Sequence, residues 1–367
     1  MTAPATASPV VFVAHTAQVS GAERVLLDLV DEATRRGHPV TVACPKGPLS
    51  ATLPPDCAHL PIPPLGLGGQ RGAARGAAVA RLVARWRSAA RTLRDAVRAP
   101  GTCTVVNSLF ALPAVRLAAP PAGASWLVHD TVVSAKQRAV IRISARVIRR
   151  AVAVSEATAV PLRAAGLRVT VAHNGVRWPV PSLGGEPHDP PVVGMLALLT
   201  PWKGHRVLLD AVARLPGVHV ELAGGSFPSD AEYVAELRTL AARNDLAGRV
   251  RFLGHVDAPT ALRRWDVVVS ASVSPEAGPL SVLEAMSYGI PVVGTDHGGT
   301  AEFLSDGAGL LVAPGDAGAL AAGLEKVLAD AELRAAMVET ARKRIAAGHD
   351  ISKTLPSQLD AVLGVTR

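Results

Sequence analysis

A two-domain α/β protein, each domain built on a parallel sheet, is the fold class this sequence predicts, and three observations predict it. Short apolar strands alternate with helical patterns along most of the chain. A Pro- and Gly-rich stretch without periodicity, residues 177–191 (RWPVPSLGGEPHDPP), interrupts that rhythm once, and the rhythm then restarts. The 367 residues suit two domains of ordinary size, and a 49% hydrophobic composition lets each bury a core.

Taken in order, Val10–Ala14 reads as a buried strand and Ala17–Gly21 as a loop. Ala22, Val25, Leu26, Leu29, Val30 and Ala33 then recur at helical spacing. Gly37 closes that helix and Val40–Ala43 is the next strand, which completes a βαβ unit and calls for a parallel sheet. Further strands are expected at Thr104–Asn107, Trp126–His129, Ala151–Val154 and Val169–Ala172. Beyond the linker they are expected at Val192–Leu196, Val218–Ala223, Val250–Leu253, Val267–Ser270, Pro291–Val293 and Leu310–Val312. No short internal repeat is visible. Ile351–Leu363 is a separate helical stretch. The expected division is residues 1–180, residues 181–348, and a C-terminal helix in residues 349–367 that returns to the first domain. Open parallel sheets bind ligands at the carboxyl ends of their strands, and domain interfaces are favoured pockets, so a ligand is expected in a cleft between the two.

Composition narrows the ligand. The net charge of +8 suits an anionic partner such as a nucleotide diphosphate or a lipid phosphate. Nucleic acid fits poorly, because aromatics make up 3% and no basic-aromatic stacking surface appears. Cys44, Cys57 and Cys103 form no C-x-x-C pair, which argues against a zinc site or disulfide framework and for a reducing compartment. The start, MTAPATASP, lacks a basic n-region, and no run approaches the roughly 20 apolar residues of a membrane span. A cytoplasmic protein, at most peripheral to a membrane, is expected.

Residues 274–302, SPEAGPLSVLEAMSYGIPVVGTDHGGTAE, carry the densest pattern. Glu276 lies on a loop after a strand. A helix beginning near Pro279 carries Glu284 on its second turn and ends at Gly289. The free N–H groups of such a helix start, around Gly278, Pro279 and Leu280, can hold phosphate. The two carboxylates can accept bonds from sugar and ribose hydroxyls. Two carboxylates alone would equally be a surface pair. A second pattern, Thr200–Arg206 (TPWKGHR), follows the first strand of the second domain and offers Lys203 to an anion. In the first domain Ser20 and Gly21 lie between a strand and a helix, and His15, Asn107 and His129 each end a strand.

This ordered set resembles the family-four group of retaining glycosyltransferases, which have the GT-B fold of two Rossmann-like domains facing a central cleft. The resemblance spans nearly the whole chain and is most specific over residues 193–312. It implies a sugar donor activated as a UDP- or GDP-linked nucleotide diphosphate, a hydroxyl acceptor, and no metal or other cofactor. It implies catalytic roles for His129, Lys203 and Glu276. Lys203 would offset leaving-group charge, Glu276 would orient the sugar, and His129 would hydrogen-bond the sugar. Donor contacts are implied for Gly21, Gly278, Pro279, Leu280 and Glu284, for Glu302 of the closing G-G-x-x-E, and for Leu253 and Val256 through backbone that cradles the base. His15, Ser20 and Asn107 fall on the acceptor side.

One position departs from the family. An Arg is usual five residues before the Lys, and Leu198 stands there, which leaves Arg206 as the nearby cation to replace it on the donor. The departure keeps a non-catalytic nucleotide-sugar-binding protein in view, and a nucleotide-sugar epimerase shares the donor site. The pattern is similar to enzymes of bacterial cell-surface polysaccharide and aminoglycoside-like natural-product pathways; a soluble small-molecule acceptor is expected, with a lipid-linked acceptor as the alternative.

One feature stands outside these motifs. From Val79, the residues Leu82, Val83, Trp86, Ala89, Ala90, Leu93 and Val97 line one face of a helix, and Arg81, Arg85, Arg87, Arg91, Arg94 and Arg98 line the other. Such a helix could lie against an anionic membrane, or pack on the sheet with its Arg face in water.

Overall fold

The computed structural model describes residues 7–66, 74–183 and 187–365. Residues 1–6 of the N-terminal segment and 184–186 of the linker, both read above from sequence, lie outside the described residues. The chain divides into two compact units, Met1–Asn174 with Thr354–Arg367, and Gly175–Lys353.

The strands of the first unit are β1 (Val10–Val13), β2 (Val40–Cys44), β3 (Ala58–Pro61), β4 (Cys103–Val106), β5 (Ala124–Val128), β6 (Ile148–Ala153) and β7 (Val169–Val171). Among the described residues they form a seven-stranded sheet in the order β3-β2-β1-β4-β5-β6-β7, with every pair parallel. The second unit holds β8 (Val192–Leu196), β9 (His219–Ala223), β10 (Val250–Gly254), β11 (Val267–Ser270), β12 (Val292–Thr295) and β13 (Leu310–Val312). Its order is β10-β9-β8-β11-β12-β13, again all parallel. Both are doubly wound, Rossmann-like sheets whose strand order reverses beside the first strand, between β1 and β4 and between β8 and β11.

Burial explains why these segments are strands. Val10–Val13 and Val267–Ser270 are buried at every residue, as central strands covered on both faces must be, and β-branched side chains fill that environment well. The exception to the expected list is β3, which was not anticipated. It is an edge strand, half-exposed, with His59 and Pro61 in a four-residue run, so it lacks an apolar signature; its pairing with β2 makes it a strand.

The Arg-bearing segment is helical over Ala74–Arg98. Leu82, Ala89, Ala90, Leu93 and Val97 are buried, and the last four join the core over the first sheet. Trp86 donates its indole N–H to the carbonyl of Phe110 at 3.0 Å. The apolar stripe from Leu82 to Val97 thus packs on the first sheet, and the arginines lie on the exposed side.

The C-terminal helix, Ile351–Leu363, carries groups bonded to the first unit. Asp360 pairs with Arg36 at 2.5 Å, the Ser125 hydroxyl donates to the carbonyl of Val362 at 2.5 Å, and the Gln358 amide donates to the carbonyl of Ala172 at 3.1 Å. No described helix is long and apolar enough to cross a membrane.

Candidate functional site

In each unit the candidate side chains cluster where the strand order reverses, at the carboxyl ends of central strands, because a parallel sheet leaves its loops there.

In the first unit His15 follows β1, Asn107 follows β4 and His129 follows β5. Ser20 precedes the helix Gly21–Arg35, so Gly21 is the first helical residue. The N–H and hydroxyl of Ser20 both donate to the Glu23 carboxylate, at 3.1 and 2.5 Å, which fixes the helix start. Buried Asn107 links two of these elements. Its amide donates to the carbonyl of Ala22 at 3.2 Å, and its oxygen lies 3.1 Å from Nε2 of His129. With the Asn oxygen on that side, His129 must donate from Nε2, which leaves Nδ1 as an acceptor. Burial lowers the His129 imidazole to about 4 and the His15 imidazole to about 4, so both are neutral near pH 7. Burial raises the carboxyl groups of Glu23 and Asp130. The Glu23 shift opposes the pull of its bonds from Ser20 and is reinforced by Asp130. Glu23 was not anticipated as part of this cluster, although Glu three residues after a Ser is the sequence mark of a helix start.

In the second unit the loop after β8 turns through Pro201–Lys203 and Gly204 into the helix His205–Val212. Gly204 has φ +80, and a Cβ there would lie 1.9 Å from the carbonyl oxygen of Ala271. Only glycine lets this loop seat on the end of β11. The carbonyl of Trp202 then accepts from the N–H of Val273 at 2.9 Å. That seating brings Lys203 to Glu276, 73 residues away, with Nζ–Oε2 at 2.6 Å. The ammonium also sits 4.2 Å from the centre of the Trp202 ring. Glu276 is 9% exposed and the Lys203 side chain 15%, so the pair is largely withdrawn from water.

Glu276 is held from several sides. The Ser272 hydroxyl donates to its other oxygen. The Ser272 carbonyl accepts from Thr295 at 3.0 Å and lies 2.8 Å from Nε2 of His297. The N–H of Gly299 donates to the Glu276 carbonyl at 2.7 Å. Sequence reasoning missed Ser272, Thr295 and His297. Ser272 lies just before the motif and Thr295 and His297 lie within it, where polar residues at a strand end are a mark that many loops share.

The helix that follows Glu276 spans Leu280–Ser287, with Pro279 at its N-cap and Gly278 in the turn before it. Glu284 falls on its second turn, half-buried. Glu302, also half-buried, lies on the helix Gly298–Leu304. Leu253 in β10 and Val256 after it pack their side chains against the apolar cluster around Trp265. Arg206 is engaged elsewhere than expected. Its guanidinium pairs with Glu236 and lies 5.4 Å from the centre of the Tyr233 ring. Leu198 is half-buried and accepts from the N–H of Thr200 at 2.8 Å through its carbonyl. Among the described residues no second Lys or Arg is ion-paired to Glu276, and no group of three or more His, Cys, Asp or Glu is placed to hold a metal ion.

His205 sits directly behind Lys203. It is fully buried. Burial, reinforced by the Lys203 charge and opposed by a contact with the Thr200 backbone, lowers its imidazole to about 4. The unfolded chain therefore takes up this proton as pH falls below about 6.5 while the folded chain refuses it until about 4. The contribution of His205 to stability is complete above pH 6.5 and is lost between pH 6.5 and 4. Glu23 and Asp130 act in the opposite sense, so the share of His205 is read by difference. His205→Gln is expected to flatten the drop in unfolding free energy between pH 7.5 and 5 by about 2 kcal/mol, at 1.36 kcal/mol per unit. Denaturant titrations at the two pH values measure it, and an unchanged drop refutes the assignment.

These two sheets and their loop clusters define a GT-B protein. A family model described as "Glycosyl transferases group 1" matches residues 181–344, and one described as "Glycosyltransferase Family 4" matches residues 19–177. The chain belongs to the group 1, family 4 glycosyltransferases. It is 39% identical over 155 residues to a lipopolysaccharide core biosynthesis glycosyltransferase of Rhizobium meliloti, covering 42% of this chain and 44% of that protein. It is 38% identical over 174 residues to a phosphatidyl-myo-inositol mannosyltransferase of Mycolicibacterium smegmatis, covering 45% and 43%. The matched regions thus span less than half the length of these curated relatives. Among solved structures, Anabaena HepE in complex with UDP and glucose superposes with a TM-score of 0.79 at 23% identity, over 98% of this chain and 100% of that one, a likeness of fold.

Proposed function

We propose that this protein is a retaining glycosyltransferase that moves a sugar from a nucleotide diphosphate donor to a hydroxyl acceptor without a metal ion. The Lys203–Glu276 contact at 2.6 Å carries the reading, because it joins a cation for a leaving diphosphate to a carboxylate that can grip sugar hydroxyls. The second unit binds the donor. The start of the helix Leu280–Ser287 offers the backbone N–H groups of Leu280 and Ser281 to the phosphates, with Gly278 and Pro279 forming the turn before it, Glu284 takes the ribose, and backbone at Leu253 and Val256 takes the base. Glu302 belongs to the same donor set. Arg206 joins it only by leaving Glu236. UDP- and GDP-linked donors both fit this description, and the UDP bound to HepE supports the first.

The first unit binds the acceptor. His15, Ser20 and Asn107 line that side. Gly21 lets backbone approach the donor closely, and neutral His129, its Nε2–H committed to Asn107, accepts a hydrogen bond from a hydroxyl of the transferred sugar at Nδ1. In the retaining scheme the acceptor hydroxyl attacks from the face the diphosphate leaves, and a donor phosphate oxygen takes the proton. The relatives named for lipopolysaccharide core and phosphatidyl-inositol chemistry support a cell-surface glycan acceptor over a natural-product one. The placement is cytoplasmic.

A thermal-shift screen of nucleoside diphosphates and nucleotide sugars tests this reading. A ligand at a hundred times its Kd adds about 2.7 kcal/mol to apparent stability. A shift with UDP or GDP and their sugars is expected. A chain that none of them stabilises is not a nucleotide-sugar enzyme.

A further inference from the structure

The charge of this protein is segregated. The helices Ala74–Arg98, Leu112–Ala118 and Ala135–Ser144 contain eleven Lys and Arg against one acid, Asp95. That surplus exceeds the +8 of the whole chain, so the rest of the molecule is slightly acidic. The first helix packs beside the second and the second beside the third. Right-handed crossovers place all three on one face of the first sheet, and they share the core there. The six arginines of the first helix noted above are exposed, as are Arg116 on the second and Lys136, Arg138 and Arg142 on the third. None of these side chains has an ion-pair partner among the described residues.

The same face carries apolar side chains in water. Leu117 and Ile143 lie on the second and third helices, at 46% and 48% exposure, and Val133 leads into the third at 59%. Exposed aliphatics set among unpaired arginines need a partner that is anionic and has an apolar interior. A bilayer containing anionic lipid has both. A nucleic acid has only the first, and this face offers no aromatic ring for base stacking, since the Trp86 indole is half-buried and bonded to the Phe110 carbonyl.

We infer that the three-helix face of the first unit docks on an anionic lipid bilayer, with arginines at the headgroups and the aliphatic side chains of Leu117, Val133 and Ile143 at the acyl boundary. The mode differs from an amphipathic helix lying in the interface, since the apolar face of Ala74–Arg98 is already buried in the core. The inference does not rest on the reaction proposed above.

Co-sedimentation with vesicles of phosphatidylglycerol and phosphatidylcholine, against phosphatidylcholine alone, tests it. The chain is expected to sediment only with the anionic vesicles, and less as salt rises. Combining Arg85→Gln, Arg91→Gln and Arg94→Gln is expected to lower the partition coefficient about a hundredfold, near fivefold per charge. Combining Leu117→Gln and Ile143→Gln is expected to lower it about tenfold or more with little change in salt dependence. All five positions are exposed, so melting temperatures should stay near wild type and show that folding is intact. A wild-type chain that stays in the supernatant with anionic vesicles overturns the inference, and so does a triple variant that sediments like wild type. An unchanged partition in the Leu117/Ile143 variant also overturns it and points to a soluble polyanion.

Discussion

Lys203→Ala is expected to lower sugar transfer on the order of a thousandfold. An ammonium about 4 Å from a diphosphate oxygen contributes ~4 kcal/mol at an effective dielectric near ~20. Felt mainly as the diphosphate departs, that is about three powers of ten in rate. The Trp202 ring and the helix start near Leu280 do not replace it, because a helix dipole contributes only ~0.3–1 kcal/mol. The substitution also strands the Glu276 carboxylate, 9% exposed, with the Ser272 hydroxyl as its remaining side-chain partner. Breaking one side of such a pair costs about 3–5 kcal/mol of stability, so lost activity alone would be ambiguous. The double variant Lys203→Met/Glu276→Gln separates the two effects. It removes both charges, and it should recover much of the melting temperature while remaining inactive. Turnover near wild type in any folded variant without Lys203 removes the proposed leaving-group role.

Much of the architecture could be read from the amino-acid order because most strands in these sheets are central and buried on both faces. Val10–Val13 and Val267–Ser270 are apolar at nearly every position, as short strands covered on both faces are. β3 escaped notice for the converse reason, since an edge strand owes its identity to its neighbour. The candidate site divides in the same way. Lys203 and Glu276 are visible as chemistry at particular places in a βα rhythm. Their contact is not visible, because it depends on how the loop at Gly204 seats on β11. Arg206 illustrates the limit. Sequence spacing makes it the nearest replacement for a cation at Leu198, yet a neighbouring helix supplies Glu236 and Tyr233, and the guanidinium goes to them.

The glycine pair that closes the motif gives the second large effect, and it acts on backbone. A Cβ at Gly299 would lie 2.3 Å from the carbonyl oxygen of Ala277, and one at Gly298 would lie 2.5 Å from the carbonyl oxygen of Glu276. Gly298 also has φ +59, a conformation that costs other residues about 1–2 kcal/mol. Side chains could rotate away from such an overlap, but main chain must move as a unit. Gly299→Ala is therefore expected to push the Glu276 turn outward and lengthen the bond from the Gly299 N–H, now 2.7 Å. A shift of about 1 Å at a sugar-gripping group lowers kcat/KM about a hundredfold. Binding of a nucleoside diphosphate, which lacks the sugar, should change far less. Gly76→Ala supplies the contrast, since a methyl there meets nothing within 4 Å and replaces a poor helix former, so activity should hold and melting temperature should hold or rise. Equal kinetics for Gly299→Ala and Gly76→Ala would mean that the Glu276 turn does not depend on this backbone contact, and the positional argument for Glu276 would fall with it.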